Sequence, residues 1–558
     1  MNTSKALIGC LLALACLGAP ISAVAEQTSD APSFGEIVDV RVVNLEAVVT
    51  QKGKRVEGLD RDSFRLLVDG QEVPIEYFTE VRGGRAVDSA DSAAAVPALE
   101  PGATLGTRYL VFIDDFFAVP AYRNQALRAL SKQLSLLGPA DQMAIVAFDG
   151  RRVEMLSSWT RSLMQLSSAL EAARQRTAFG LQRQSEQRRV DNLTRLDLRA
   201  NRRNFDVPGD LSLYDSRFGS LVRPGFYPYG DYDLSYEEEV DWQVSRVIQG
   251  ATSALRAFAR PPGRKVMLLL SGGWPAVTLG RAALNGYGLR DPRLFDPLVD
   301  TANRLGYTLY PVDLNTETGI LASSAEYGDV LEANLASRRR QARDGWEEDA
   351  LYYLAETTGG RASVDGARDR ALERVVEDTR SFYWLGFSPT WKQDDQRHRV
   401  ELQMRVKGLE ARTRDSFSDL SLQSEVTMMV ESAQLFELEL PGQGSLGVSF
   451  GEPVKAGFKK VALPVRLEIP LDRIRLLPVA DGYSANLELR VAATDDDGGS
   501  SEIPIVAVAL HGDAPPAAGE TAVFETELKL RSRPHRLLLS IYDPASGSLL
   551  SERIDLAL

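Results

Sequence analysis

Apolar positions change period twice along the chain. From residue 36 to 82 they alternate: Val38, Val40, Val42 and Val49 precede a Gln51-Lys52-Gly53-Lys54 turn. An apolar run at 64–68, an Asp69-Gly70 turn and a further run at 73–78 follow. A period of two broken by tight turns predicts a small antiparallel β unit. Residues 83–107 are rich in Ala, Pro, Ser and Gly and read as a linker. From 108 the runs become continuous, at 109–113, 143–148, 265–270 and 307–312. Helically spaced residues alternate with them: Leu127, Leu130 and Leu134; Leu163, Leu166 and Leu170; Val240, Val244, Val247, Ala251 and Leu255. Further helices are expected at 294–305, at 346–357 and through Ala371, the last leading into an apolar run at 381–387. Buried runs between amphipathic helices predict an α/β class over 108–390, a doubly wound, mostly parallel sheet. The strand period returns as a β extension at 391–417. Residues 421–558 offer seven short strand candidates and no evident long helix, which predicts a C-terminal β-sandwich.

The length of 558 residues suggests three or four domains, each able to bury a core. The apolar fraction of 44% with 25% charged residues is that of a globular protein. A formal charge of −13 opposes general affinity for nucleic acid, because the overall field repels phosphate. Residues 1–25 carry one charge, Lys5, then an apolar stretch broken by Gly18 and Pro20, then Ala23-Val24-Ala25. This is the pattern of a cleaved signal peptide, and the stretch is short for a membrane span. The expectation is an exported, periplasmic or secreted protein with no transmembrane span in its mature chain. Cys10 and Cys16 both lie in that segment, so disulfides, thiolate zinc sites and Cys nucleophiles are excluded from the rest.

Several motifs follow one another in a fixed order. They are VVTQKGKRVEGL (48–59), LVFID (110–114), DQMAIVAF (141–148), GRKVMLLLSGG (263–273), LAETTGGR (354–361) and YWLGFSP (383–389). In that order and spacing, 36–417 resembles the bacterial VWFA-related family described from Acidobacteria, with 109–387 similar to a von Willebrand factor type A domain. The resemblance covers about two thirds of the chain and leaves the region from 420 outside it.

Ligands of open α/β sheets sit beyond the carboxyl ends of the strands. Those ends carry Asp114, Asp115, Asp149, Ser271 and Asp313. The resemblance implies a metal-ion-dependent adhesion site there, built from an Asp-x-Ser-x-Ser loop, a Thr and a further Asp around Mg²⁺. This sequence departs from that pattern. Counting from Asp114, the serine positions hold Phe116 and Ala118; counting from Asp115, they hold Phe117 and Val119. Ser271 stands in place of the later Asp, and Thr177 is the nearest threonine. Asp114, Asp115, Thr177 and Ser271 therefore form at most a degenerate site, and no resident cofactor is expected. The competing reading is that the two Asp side chains cap loop amides.

Residues 174–237 form an insertion far beyond the usual loop of about five residues. Its first part is Arg-rich and includes Arg188 and Arg189; its second holds Phe226, Tyr227, Tyr229, Tyr232 and Tyr236. Arg and Tyr are favoured at binding hot spots, so these seven residues are the candidate contacts for a protein partner. The bland alternative is a loop folded back on its own acidic domain. His398, His511 and His535 are isolated, and no nucleophile elbow or phosphate loop is present. The run 495–499 (DDDGG) reads as a hairpin turn or, less simply, a Ca²⁺ loop. The leading expectation is an exported, non-enzymatic interaction protein. Its alternatives are an envelope scaffold acting through the β-sandwich and a hydrolase with an unrecognised site.

Overall fold

The structure is a computed structural model that describes residues 42–87, 104–183, 185–186, 189, 231–259, 263–274, 294–314, 350–364, 367–391, 393–437, 439–479, 482–496 and 503–557. In chain order, the principal elements of the first three quarters are β1 (Val43–Gln51), β2 (Phe64–Val68), β3 (Tyr77–Arg82), β4 (Thr107–Asp114), α1 (Pro120–Gln133), β5 (Gln142–Phe148), β6 (Val153–Thr160) and α2 (Leu163–Gln175). Next come α3 (Asp231–Ala257), β7 (Arg264–Ser271), α4 (Asp296–Leu305), β8 (Tyr307–Asp313), α5 (350–357), α6 (Ala371–Arg380), β9 (Phe382–Phe387), β10 (Arg397–Met404) and β11 (Glu410–Arg412). The remainder comprises α7 (Leu422–Phe436), β12 (Lys460–Pro470), β13 (Gly482–Asp495), β14 (Ile505–Gly512), β15 (Thr521–Arg531), β16 (His535–Asp543) and β17 (Ser548–Leu556).

The runs at 109–113, 143–148, 265–270 and 307–312 become β4, β5, β7 and β8, parallel neighbours in the order β8-β7-β4-β5. Apart from Lys265 and Thr308 near their starts they are apolar, because both faces are covered. Helices α1, α2 and α6 bury Leu127, Leu170 and Leu372 against one face. Helices α3, α4 and α5 bury Val244, Leu298 and Leu354 against the other. The edge strand β6 runs antiparallel to β5.

The expected fold class is overturned. Of the five sheets among the described residues, four are antiparallel and the fifth is mixed, and strand predominates over helix. The chain is mostly β and is not a doubly wound parallel-sheet protein. One cause is the run at 381–387, expected to close the parallel sheet. As β9 it lies between β1 and β3 in an antiparallel sheet, with Val43 opposite Phe387 and Val81 opposite Phe382. Strand β10 pairs with β2, and β11 with β1. The first β unit is thus built from both flanks of the central segment. Its core joins Leu45 and Val49 to Phe64, Leu66, Tyr383, Leu385, Val400 and Phe417. Asp378 of α6 fastens it to the mixed-sheet unit by accepting from Arg55 Nη2 at 2.8 Å and Arg412 Nη2 at 2.6 Å.

In the last quarter, β12 and β15 belong to one antiparallel sheet, and β13, β14, β16 and β17 to another. The alternating residues Val465, Leu467 and Ile469 face Leu487, Leu489 and Leu539 across their common core. The helix α7 that precedes them was not expected. Ser421 caps it, its hydroxyl accepting from Ser424 N–H at 3.2 Å. It is buried on two sides, which blurs the single apolar stripe by which a surface helix is recognised. Val426, Val430 and Ala433 pack on Ala492, Leu538 and Tyr542 of the sheet behind. Phe436 instead joins the mixed-sheet core, edge-on to Phe258 at 5.8 Å between ring centres. Helix α7 is therefore the wedge between the two units. Phe436→Ala is expected to lower stability to urea by about 3 kcal/mol; a loss under 1 kcal/mol would show that the wedge carries little.

Candidate functional site

The carboxyl ends of β4, β5, β7 and β8 form one rim, and each chain turns there under its own constraints. After β4 the carboxylate of Asp114, fully buried, folds the chain back on itself. Its Oδ1 accepts from the backbone N–H groups of Phe116 at 3.0 Å and Phe117 at 3.2 Å. Its Oδ2 accepts from Ser271 Oγ at 2.7 Å and from Trp274 Nε1 at 3.0 Å. Trp274 is also fully buried and lies stacked on Phe295, 6.0 Å between ring centres. Burial pushes the Asp114 carboxyl up to about 6, against the pull of these four donors.

Asp115 points elsewhere. Arg123 of α1, itself buried, donates from Nη1 to Asp115 Oδ1 at 2.6 Å, and Arg176 donates from Nε to Oδ2 at 2.7 Å. Arg123 Nη2 also donates to the carbonyls of Arg174 at 3.3 Å and Arg176 at 2.9 Å, which ties the end of α2 to the loop after β4. Arg176 reaches on to Glu154 of β6. The next residues stay at the rim: Phe179 N–H donates to Asp115 O at 2.8 Å and Gly180 N–H to Ala118 O at 3.1 Å. A Cβ on Gly180 would stand 2.5 Å from the Ala118 backbone, so only glycine allows this approach. Arg183 lies over the Phe116 ring at 4.8 Å.

Of the residues singled out in the sequence, Asp114 and Ser271 meet directly, Asp115 is turned toward two guanidinium groups, and Thr177 is exposed. Asp149 is used locally, its Oδ1 accepting from Arg151 and Arg152 N–H at 2.8 and 2.9 Å. These residues do not fit the Mg²⁺ that the resemblance implies. An octahedral ion needs free oxygen lone pairs. A carboxylate offers about four, and protein donors engage four on Asp114. Among the described residues no group of three or more His, Cys, Asp or Glu could hold a metal ion. The calcium reading of 495–499 meets a similar obstacle, since Asp495 Oδ2 is ion-paired with Arg531 at 2.9 Å and Arg533 at 3.6 Å.

Arg189 is exposed, whereas Arg188, Phe226, Tyr227 and Tyr229 lie outside the described residues. Tyr232 and Tyr236 fall in the first turns of α3, and their side chains are likewise outside them. Trp274 and Arg123 were missed in the sequence, and Arg176 stood out there only as one arginine of the 174–237 insertion, not as a partner of Asp115. A tryptophan directly after the Ser-Gly-Gly strand end was a weak signal; Arg123 gave none, because it looks like any surface arginine.

Two outcomes follow from this geometry. The folded Asp114 holds its proton to about 6 whereas an unfolded Asp releases it near 3.8, so the native state binds more protons between those values. Stability therefore falls as pH rises through that window. Urea unfolding at intervals from pH 4 to 7 should show wild type losing roughly 2–3 kcal/mol more than Asp114→Asn; parallel curves would contradict the assignment. Arg123→Met, which leaves Asp115 facing Arg176 alone, should cost about 3–5 kcal/mol in the same measurement.

No family model matches the chain, and no curated protein matches it. Among solved structures, the Northeast Structural Genomics Consortium target SoR45 is 18% identical over 20% of this chain and 83% of its own, with a TM-score of 0.13. A β-glucuronidase from Bacteroides uniformis is 14% identical over 32% of this chain, with a TM-score of 0.14. The chain spans only 18% of that enzyme's length. Similarity at this level carries no functional argument.

Proposed function

We propose that this chain is an exported, non-enzymatic protein-interaction protein, related to von Willebrand factor type A proteins through the order of its motifs. Its mixed-sheet unit presents the strand-end rim to a protein partner without a bridging metal ion. The observation that carries this reading is the saturation of Asp114 by Phe116, Phe117, Ser271 and Trp274. A rim whose carboxylates are already engaged cannot recruit a partner's carboxylate through a shared cation, so recognition falls to side chains. The Arg-rich and Tyr-rich segment 174–237 leaves from this rim, its first residues clamped there by Asp115 and Ala118. Guanidinium and phenol groups supply contact area and hydrogen bonds without a metal.

A second reading places the contact on the C-terminal β unit. Phe458 is 87% and Val454 61% exposed, beside Lys455, Lys459 and Lys460. Large apolar side chains presented together often mark interaction sites.

Crosslinking in the native envelope fraction, followed by purification, separates the two. With 184–230 replaced by a Gly-Ser linker, the crosslinked species should disappear while the thermal midpoint holds, and EDTA should leave the wild-type yield unchanged. Retention in the linker variant with loss in Phe458→Ser would move the contact to the C-terminal unit. Loss on EDTA treatment would reject a metal-free rim.

A further inference from the structure

The opposite end of the mixed sheet, far from the rim in strand direction, holds a cavity of about 140 Å³. It lies where the starts of β7 and β8 meet β1, β9 and β11 of the first β unit. Such a volume exceeds what a single water needs. Its polar lining is unusual in sign: Arg264, Arg412 and Arg414 face it with one carboxylate, Glu46.

Two of the three guanidinium groups are neutralised. Arg264 Nε is ion-paired with Glu46 Oε2 at 2.9 Å, and Arg412 with Asp378 Oδ2 at 2.6 Å. Arg414 is different. Its Nη1 and Nη2 donate to the carbonyls of Asn303 at 2.8 Å and Asn44 at 2.6 Å, and the acid that acts on its charge, Glu46, is already ion-paired with Arg264. Among the described residues no carboxylate forms an ion pair with it. Burial draws its pKa down to about 10 and that of neighbouring Lys265 down to about 8, the latter helped by the charges of Arg108 and Arg414. This end of the sheet therefore carries surplus positive charge in a partly dry setting, where electrostatic attraction is strong.

Donors are also left over. Arg414 Nε and the indole N–H of Trp384, a cavity-lining residue, are both buried and make no hydrogen bond. Buried donors without partners are costly and usually mark a bound water, ion or ligand. Glycines at positive φ belong to its wall. Gly359, at φ +75°, would bring a Cβ within 2.8 Å of Arg414 N, and Gly263, at φ +125°, within 2.7 Å of Arg108 Nη1. Side chains at these positions would be strained as well as crowded.

From a cavity lined by three guanidinium groups against the single carboxylate of Glu46, and from the unpaired Arg414 Nε and Trp384 N–H of its lining residues, we infer that this chain binds a small oxyanion at the base of the mixed sheet. The chemistry is that of phosphate or of a free carboxylate, with charge-assisted hydrogen bonds from the guanidinium and one from the indole. The site is independent of the strand-end rim and of any partner bound there.

Titration of the full chain with inorganic phosphate at constant ionic strength, followed by calorimetry and by thermal midpoint, tests the inference. Acetate is titrated in parallel. Saturable binding is expected near roughly 1 mM or tighter. Trp384→Phe, which keeps an aromatic ring and removes only the donor, should weaken it at least tenfold with an unchanged midpoint in anion-free buffer. Arg414→Gln should abolish it. Binding of phosphate alone assigns the site to phosphate, and equal binding of acetate assigns it to carboxylates; either outcome supports an oxyanion site. No saturable binding to wild type would mean that the cavity holds water only and would overturn the inference. So would equal affinity in Trp384→Phe, or a midpoint that rises linearly with phosphate in every variant, as salt exclusion alone produces.

Discussion

A buried carboxylate in a sheet protein must find donors, and Asp114 finds four. Two come from the backbone just after it, one from Ser271 at the end of the neighbouring strand, and one from Trp274 beyond that strand. The arrangement fixes the turn after β4, holds β7 beside it in register, and seats the Trp274 ring in the core of one sheet face. Its neighbour Asp115 does the same for the other face, gathering α1, the end of α2 and β6 through Arg123 and Arg176. Adjacent acids thus organise opposite sides of one sheet. Asp114 ends β4 and Asp115 opens the turn after it, and from there their side chains leave in different directions. The loop after β4 is thus closed by arginine on one side and tryptophan on the other.

The periodicities did lead to particular elements. The short, mostly apolar runs at 109–113, 143–148, 265–270 and 307–312 read as strands buried on both faces, and they form the four parallel neighbours. The turns at Gln51-Lys52-Gly53-Lys54 and Asp69-Gly70 sit where the backbone takes positive φ at Lys52, Gly53, Asp69 and Gly70. Pairing was less legible. Residues 381–387 carry the same apolar signature as β7, yet they pair antiparallel with strands more than 290 residues earlier. Composition reports burial and is silent on the partner, so assigning that run to the parallel sheet tilted the whole class toward α/β. Strand β6 carries no clear signal because only Val153 of its eight residues is buried, and α7 none because it is apolar on two sides.

At the rim, Asp114, Asp115 and Ser271 stood out because strand ends are where side chains converge. Their actual partners did not, since Arg123 lies in an amphipathic helix and Arg176 at the end of another, among many similar arginines. At the base of the sheet nothing stood out. Arg264, Trp384 and Arg414 are separated by 120 and 30 residues and meet only because the flanks of the central segment close on each other. A constellation drawn from such distances has no local pattern to betray it.

That closure has a consequence for how the molecule is made. When residue 51 leaves the ribosome, the strand it ends can pair locally only with Lys54–Arg55, and its long partner is not complete until residue 387, more than 330 residues later. Throughout that interval most of an apolar strand waits with its edges open beyond that short hairpin, the condition under which chains stick to one another. The central helices and parallel strands, whose contacts are nearer in sequence, are free to fold first and draw the two ends together. A cell producing this protein therefore has reason to shield its first strand, and biosynthetic yield should depend more on chaperone supply than on the stability of the finished fold.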